Sequence, residues 1–247
     1  RLSAGEILAY TESQEIVTRK PHKLGDVIRM TDANAVLTTY YRNNVLHLFA
    51  MPSLIACAFI ANAEMRTEDI QRLAWRIYPY IAAELFLKWR ETELPRVVIQ
   101  TLAVLREHGV LQCNAEQTVW RRPPPASAGA MQLSLLAQLT LQFIERYYLA
   151  IALLIEAGPG QITQRALAER CQLMAQRMTL LYGFNSPEFF DRALFENFID
   201  LLRDRRAIRV GEGGKLDFDE VLEQVAQDAQ IVLSEQIRHS ILQVTHD

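Results

Sequence analysis

Residues Ile28–Ala63 read IRMTDANAVLTTYYRNNVLHLFAMPSLIACAFIANA, and this stretch decides the fold class. It opens with the polar run Thr31-Asp32-Ala33-Asn34, whose side chains suit the unpaired amides of a helix start. From Asn43 to Ala63 no residue carries a full charge when His47 is neutral. Pro52 lies in the middle of that run, where a missing amide and a clash with the preceding turn work against a helix. The spacing therefore predicts two helical pieces meeting at Met51-Pro52, too apolar to face water all round. The run has about the length a spanning helix needs, but Pro52 interrupts it and Asn43, Asn44, Ser53 and Asn62 dilute it. Three readings stay open for it: buried core helices, a face against a bilayer surface, or a true span.

Composition sets the frame around this stretch. Half of the 247 residues are hydrophobic and 22% are charged, a globular balance able to bury a substantial core. A formal net charge of −3 provides no general drive toward nucleic acid. Cys57, Cys113 and Cys171 are widely spaced and form no C-x-x-C pair, which argues against a disulfide framework or a zinc knuckle. The opening RLSAGE has no signal-peptide pattern and no initiator Met, so a piece of a longer protein is expected.

Before the decisive stretch, Glu6–Tyr10 suits one short helix. Glu15–Thr18 and Asp26–Met30 suit short strands around the turn Lys20-Pro21-His22-Lys23-Leu24-Gly25. Arg19, Lys20, His22 and Lys23 have the charge to hold a phosphate, or simply form a solvated loop.

After it, Thr67-Glu68-Asp69 starts a helix expected to reach Trp89 through Ile70, Leu73, Ile77, Ile81 and Leu85, with a kink or split near Tyr78 caused by Pro79. Its aromatics Tyr78, Tyr80, Phe86 and Trp89 read as core and boundary residues. Pro95 opens the next helix, striped by Val97, Val98, Leu102 and Leu105 and stopped at Gly109. A hairpin, Val110–Gln112 with Thr118–Trp120, follows. Arg121-Arg122-Pro123-Pro124-Pro125 is a stiff connector, and it divides the chain into an N-terminal part, 1–122, and a C-terminal part, 126–247.

The second part begins with a long helix from Ser127 to Ala157, closed by Gly158-Pro159-Gly160. Glu145-Arg146 in its middle makes it a poor membrane span. Thr163 begins another helix through Leu167, Cys171, Met174 and Leu181. A helix from Pro187 through Phe190, Leu194, Phe198 and Leu202 precedes a hairpin, Ala207–Val210 with Lys215–Phe218, turning at Gly211–Gly214. An amphipathic stretch, Asp219–Val244, ends the chain. The pattern L-x-x-L-R-x-x-G-V-L from Leu102 echoes I-x-x-L-R-x-x-R-A-I from Ile199. Both resemble the helix-then-hairpin half of a winged-helix unit. The expected fold is mainly α, a helical bundle with short β-hairpins.

A winged helix that grips DNA presents a basic recognition helix. Here Glu188, Asp191, Glu196 and Asp200 stand against Arg192, a distribution that repels phosphates and suits a protein partner. No motif of nucleophile, zinc or nucleotide chemistry occurs: G-x-S-x-G, H-E-x-x-H, the P-loop pattern and G-x-G-x-x-G are all missing. Glu84 with Arg90, and Glu145 with Arg146, read as ordinary helix-surface or interface charges.

Three long strings carry a resemblance. TRKPHKLGDVIRMTDANAVLTTYYRNNVLHLFAMPSL (Thr18–Leu54), AELFLKWRETELP (Ala83–Pro95) and YGFNSPEFFDRALFENFIDLLRDR (Tyr182–Arg205) resemble the region C-terminal to the catalytic domain of large bacterial glycerol-3-phosphate acyltransferases. The resemblance implies a parent enzyme moving a fatty acyl group from acyl-CoA or acyl carrier protein to the sn-1 hydroxyl of glycerol 3-phosphate. It implies a site at the cytoplasmic face of the bacterial inner membrane, held there as a peripheral or monotopic protein. The partners implied are the catalytic domain of the same protein and the membrane surface, with no nucleic acid, metal or prosthetic group.

That family uses a His followed, after four residues, by an Asp. None of His22, His47, His108, His239 and His246 has Asp five positions on, and His22 with Asp26 in HKLGD is one residue short. The family's arginine and glycine-rich substrate blocks are missing as well. No catalytic, cofactor-binding or metal residue is therefore assigned. The alternative is a stand-alone, winged-helix-like interaction module.

Overall fold

A computed structural model describes residues 2–182, 191–233 and 235–246, and the chain in it is mainly helical. It divides into two compact units, Arg1–Leu48 and Phe49–Asp247. The first unit contains α1 (Ala4–Ser13), the hairpin β1 (Val17–Lys20) with β2 (Val27–Met30), and the opening turns of α2 (Asp32–Ala61). Ser3 caps α1 through a capping box with Glu6, and the acid keeps its carboxyl below the usual range by accepting the Ser3 amide and hydroxyl.

In the second unit the order is β3 (Glu64–Arg66), α3 (Thr67–Leu85), α4 (Leu94–Glu107), β4 (Gln112–Cys113) and β5 (Val119–Arg121). The three strands form one antiparallel sheet in the order β3-β5-β4, so the strand preceding α3 closes against the hairpin that follows α4. Thr67 fastens that closure. Its amide donates to the Thr118 carbonyl at 3.0 Å, its hydroxyl donates to the Gln117 carbonyl at 2.8 Å, and it accepts the Trp120 indole N–H at 2.9 Å. Preceded by the end of α2, this is a complete winged-helix unit.

The same sequence of elements then recurs. α5 (Ala128–Ala157), α6 (Gln164–Tyr182), α7 (Arg192–Asp204), β6 (Ile208–Val210) and β7 (Leu216–Phe218) follow in order. A bridge from Thr163 to Lys215, with the Leu216 amide donating to the Ile162 carbonyl, supplies the third strand. Helix lengths match: 30 residues in α2 and α5, 19 in α3 and α6, 14 and 13 in α4 and α7. Counterparts start 96 to 98 residues apart (Asp32 and Ala128, Thr67 and Gln164, Leu94 and Arg192, Gln112 and Ile208). The local echo at Leu102 and Ile199 belongs to a repeat that runs from α2 to β7. Two further helices, α8 (Glu220–Val232) and α9 (Glu235–His246), lie against α5; the terminal stretch is thus two helices.

The core is built from the first helices of the two repeats. Met51, Leu54, Ile55, Ala58 and Phe59 of α2, and Ile144, Leu149, Ile151, Leu153 and Leu154 of α5, are buried. Ser53 joins them: its hydroxyl donates to the Leu136 carbonyl at 2.6 Å, lies 2.7 Å from the Thr140 hydroxyl, and accepts the Thr140 amide at 3.0 Å. Where the sequence suggests two pieces meeting at Pro52, α2 is one helix with Pro52 inside it. Burial of the residues on both sides of the proline holds the helix together through the missing bond. Pro79 likewise sits inside α3, which is not split there. α3 stops at Leu85, short of the expected Trp89. Phe86 takes a left-handed conformation (φ 52°, ψ 46°), and Trp89 is tied back instead, its amide donating to the Tyr78 hydroxyl and its carbonyl accepting from it. Phe86 is 91% exposed and not part of the core or its boundary. The helix expected from Pro187 is described from Arg192 onward, capped by Asp191; Pro187, Glu188 and Phe190 lie outside the described residues, and so does the side chain of Leu181.

Ser127 caps α5 by accepting the Ala130 amide at 3.2 Å. In the first turn of α5, Gly129 meets the end of α4: a Cβ there would overlap the Gly109 carbonyl oxygen and approach Cγ of the buried Pro123 to 3.1 Å. Because backbone cannot yield as a flexible side chain does, Gly129→Ala should destabilise the chain by about 1–3 kcal/mol, read as a lower urea midpoint. Gly5→Ala, in the first turn of α1 with open space around it, should leave the midpoint nearly unchanged.

Candidate functional site

The densest polar chemistry in the described core joins the two repeats. Glu84 sits near the end of α3, and Arg146 and Tyr147 sit in the middle of α5. Arg146 Nη2 donates to Glu84 Oε1, and the Tyr147 hydroxyl donates to Glu84 Oε2 at 2.6 Å. Only 2% of the Arg146 side chain is exposed, against 20% for Glu84. A buried guanidinium is tolerated only with a paired carboxylate and further stabilisation. Here the Phe143 and Tyr147 rings lie 5.3 and 5.7 Å from its central carbon, and its Nε has no hydrogen-bond partner. Burial and the adjoining Glu84 carboxylate hold the Tyr147 hydroxyl well above its usual pKa, so it remains a donor.

Beside this cluster the helices leave a cleft of about 360 Å³. Tyr80, Tyr147 and Phe198 form its aromatic wall, with Tyr147 and Phe198 stacked at 4.2 Å between ring centroids. Arg205 and Glu91, paired at 2.6 Å, stand among its lining residues, and the Arg205 guanidinium lies 5.7 Å from the Tyr80 ring. The chemistry is that of a binding cleft or a packing seam: apolar walls and a closed ion pair. No nucleophile beside a base lines it.

The remaining candidates do not converge. Arg19 is committed to Glu12 at 2.8 Å and Asp26 at 3.3 Å, and both bonds push its pKa up. His22 Nδ1 accepts the Leu24 amide at 3.2 Å, which makes it a turn residue. Lys20 and Lys23 are exposed beside it. Burial drives the Cys57 thiol up to about 12 and raises Cys171 too, so neither is a thiolate nucleophile near neutrality. No group of three metal-ligating side chains occurs among the described residues.

Two readings of the sequence change here. Glu84 pairs with Arg146, not with Arg90, and Glu145-Arg146 are core residues where the sequence suggests surface or interface charges. Local spacing conceals a pairing across 62 positions. Glu145 is 4% exposed, and burial raises its carboxyl to about 7. Among the described residues one helical segment, Ala33–Ala61, is long and apolar enough to cross a bilayer, and 56% of its most apolar window is buried.

These features define a class: a tandem winged-helix assembly whose two repeats are joined through the Glu84–Arg146 pair. The chain belongs to the family described as the glycerol-3-phosphate acyltransferase C-terminal region, whose model matches residues 1–211. It is similar to glycerol-3-phosphate acyltransferases of Pseudomonas aeruginosa (strain UCBPP-PA14; 44% identical over 239 residues), Pseudomonas syringae pv. tomato (strain DC3000; 41% over 239) and Ectopseudomonas mendocina (strain ymp; 41% over 242). These alignments cover 96–98% of this chain and 28–29% of each relative.

Glu145 and the Glu84–Arg146 pair make separate predictions. The folded chain retains a proton on Glu145 that the unfolded chain releases near pH 4.5, so the residue costs stability as pH rises from there and costs it fully above about 7. Glu145→Gln should raise stability by on the order of 3 kcal/mol at pH 8.5 and change it little near pH 4, as read by thermal melts at both values. Arg146→Met should cost about 3 kcal/mol by stranding Glu84. Adding Glu84→Gln should recover more than half of that in a double-mutant cycle.

Proposed function

We propose that this chain is the non-catalytic C-terminal region of a glycerol-3-phosphate 1-O-acyltransferase. The parent would transfer a fatty acyl group from acyl-CoA or acyl carrier protein to the sn-1 hydroxyl of glycerol 3-phosphate in phospholipid synthesis. The observation that carries this reading is a family match over residues 1–211, in relatives more than three times as long as the chain. It fits the interior: the ionic chemistry at Glu84, Arg146 and Tyr147 is locked between two repeats, and no His has Asp five positions on. The catalytic His and Asp would then belong to another domain of the same polypeptide, which this region braces. The parts 1–122 and 126–247 would act as one region, since the Glu84–Arg146 pair crosses that division.

The parent would sit at the cytoplasmic face of the bacterial inner membrane, peripherally or as a monotopic protein. Leu54–Phe59 of α2 and Ile144, Leu149–Ile151 and Leu153–Leu154 of α5 are core and face no bilayer. Met131 and Leu135 remain exposed on α5 and offer the bilayer an apolar edge. On α7 and its cap the acids Asp191, Glu196, Asp200 and Asp204 stand against Arg192 and Arg203, of which Arg192 bonds Glu169 and Glu196 and Arg203 bonds Asp200, and this supports protein packing over nucleic acid.

The intact mass of the natural gene product tests the reading. A product about three to four times the 28.3 kDa of this chain is expected, and it should acylate glycerol 3-phosphate from acyl-CoA. This chain alone should show no transfer. A product near 28.3 kDa, or transfer by this chain alone, would overturn the proposal.

A further inference from the structure

The first compact unit is unfinished as a folded object. Among its described side chains in residues 2–48, Leu46 alone is buried. Of the twenty-one exposed large apolar side chains in the described chain, eleven lie in these first 48 residues. Its sheet has two strands, β1 and β2, and a two-stranded hairpin without a covered face is marginal in water. No residue of α1 is buried. Ordinary scattered surface apolars need no explanation, whereas a concentration of this kind marks a surface that something covers.

The exposed residues also share a face. Leu37, Tyr41, Val45 and Leu48 recur at helical spacing on α2, with Tyr40 alongside. The opposite side of the helix holds Leu46, which is buried. At the tip of the β1–β2 hairpin, Leu24 is 92% exposed.

We infer that this face of residues 17–48 is the docking surface for the remainder of the parent polypeptide, upstream of this region. The inference rests on the reading above that the chain is one region of a longer protein. Two observations select that occupant. The relatives carry more than twice this chain's length beyond what it matches, so a large body of the same polypeptide is available to cover the face. Within residues 17–48 the basic residues Arg19, Lys20, Lys23, Arg29 and Arg42 outnumber Asp26 and Asp32, but Arg19 is bonded to Glu12 and Asp26, and on α2 up to Leu48 Arg42 stands against Asp32. A patch built for an anionic bilayer carries a basic excess, and the α2 face of Leu37, Tyr41, Val45 and Leu48 does not.

Site-specific photo-crosslinking in the full-length polypeptide, in its native membrane, tests the inference. Benzophenone side chains replace Leu24, Tyr41 and Leu48 one at a time, and adducts are identified by mass spectrometry after proteolysis. Mixing isotope-labelled and unlabelled copies separates intramolecular from intermolecular adducts. Intramolecular adducts to peptides upstream of residue 1 should outnumber lipid and second-copy adducts together by at least fivefold. A smaller ratio, or no adduct from any position, overturns the inference. A lysine-reactive crosslinker on the unsubstituted polypeptide gives an independent reading from Lys20 and Lys23, which flank the hairpin tip. Upstream partners are expected, and their absence from both measurements overturns the inference even where a variant folds poorly. Acyl transfer is measured on the same unsubstituted preparation. Transfer with crosslinks elsewhere removes only the docking surface, while absence of transfer removes the functional reading.

Discussion

One ion pair governs how the second unit is put together. Arg146, at the centre of α5, cannot be sealed into an apolar core without a carboxylate, and the carboxylate comes from α3 of the other repeat. Because an isolated buried charge costs several kcal/mol, the two repeats are locked into the register that brings Glu84 to Arg146. The Tyr147 hydroxyl occupies the second oxygen of Glu84, and its ring stacks on Phe198 of α7. A single carboxylate thereby sets three helices against one another. The aromatic cleft beside it follows from the same arrangement, since Tyr80 and Tyr147 wall it while the cluster fixes their backbones.

The repeat of elements gives that interaction its context. Each repeat alone has the parts of a winged helix: a long first helix, a strand, two helices and a hairpin. In DNA-binding relatives of this arrangement the last helix reads a groove. Here α7 carries Phe198 inward against Tyr80 and Tyr147, and its acids bond neighbouring arginines and a glutamine. The architecture has been turned toward holding protein together, which suits a region whose family is defined by its place in a larger acyltransferase.

What the sequence made legible was local. Ser127, Thr163, Pro95, Gly109 and Gly158 mark helix ends that the structure places there or within a residue or two, because caps act on adjacent amides. The three hairpins are visible from their turns. The prolines were misleading because tertiary burial outweighs one lost hydrogen bond: Pro52 and Pro79 sit inside helices. The third strand of each sheet was illegible. Glu64–Arg66 has three residues and no apolar alternation, and its counterpart at Thr163 is a single bridge. The candidate cleft was illegible for a related reason, since Glu84 and Arg146 meet only when both repeats are complete. The absence of the family's His-Asp spacing, by contrast, was plain from the string itself.

The repeat also orders events during synthesis. The last strand of the first repeat, β5, ends at Arg121, 25 residues ahead of Arg146 in α5, a lead of roughly 1–5 s at ordinary elongation rates. Through that interval the first repeat has the strands of its own sheet but not Arg146, so the face of α3 that later meets Arg146 is turned to solvent. Glu84 then stands as a hydrated carboxylate beside Tyr80 and Ile81, both buried in the finished chain. A charge placed there keeps the half-made chain soluble and discourages association with other nascent copies. The residue that joins the finished repeats thus also guards the first one while it waits.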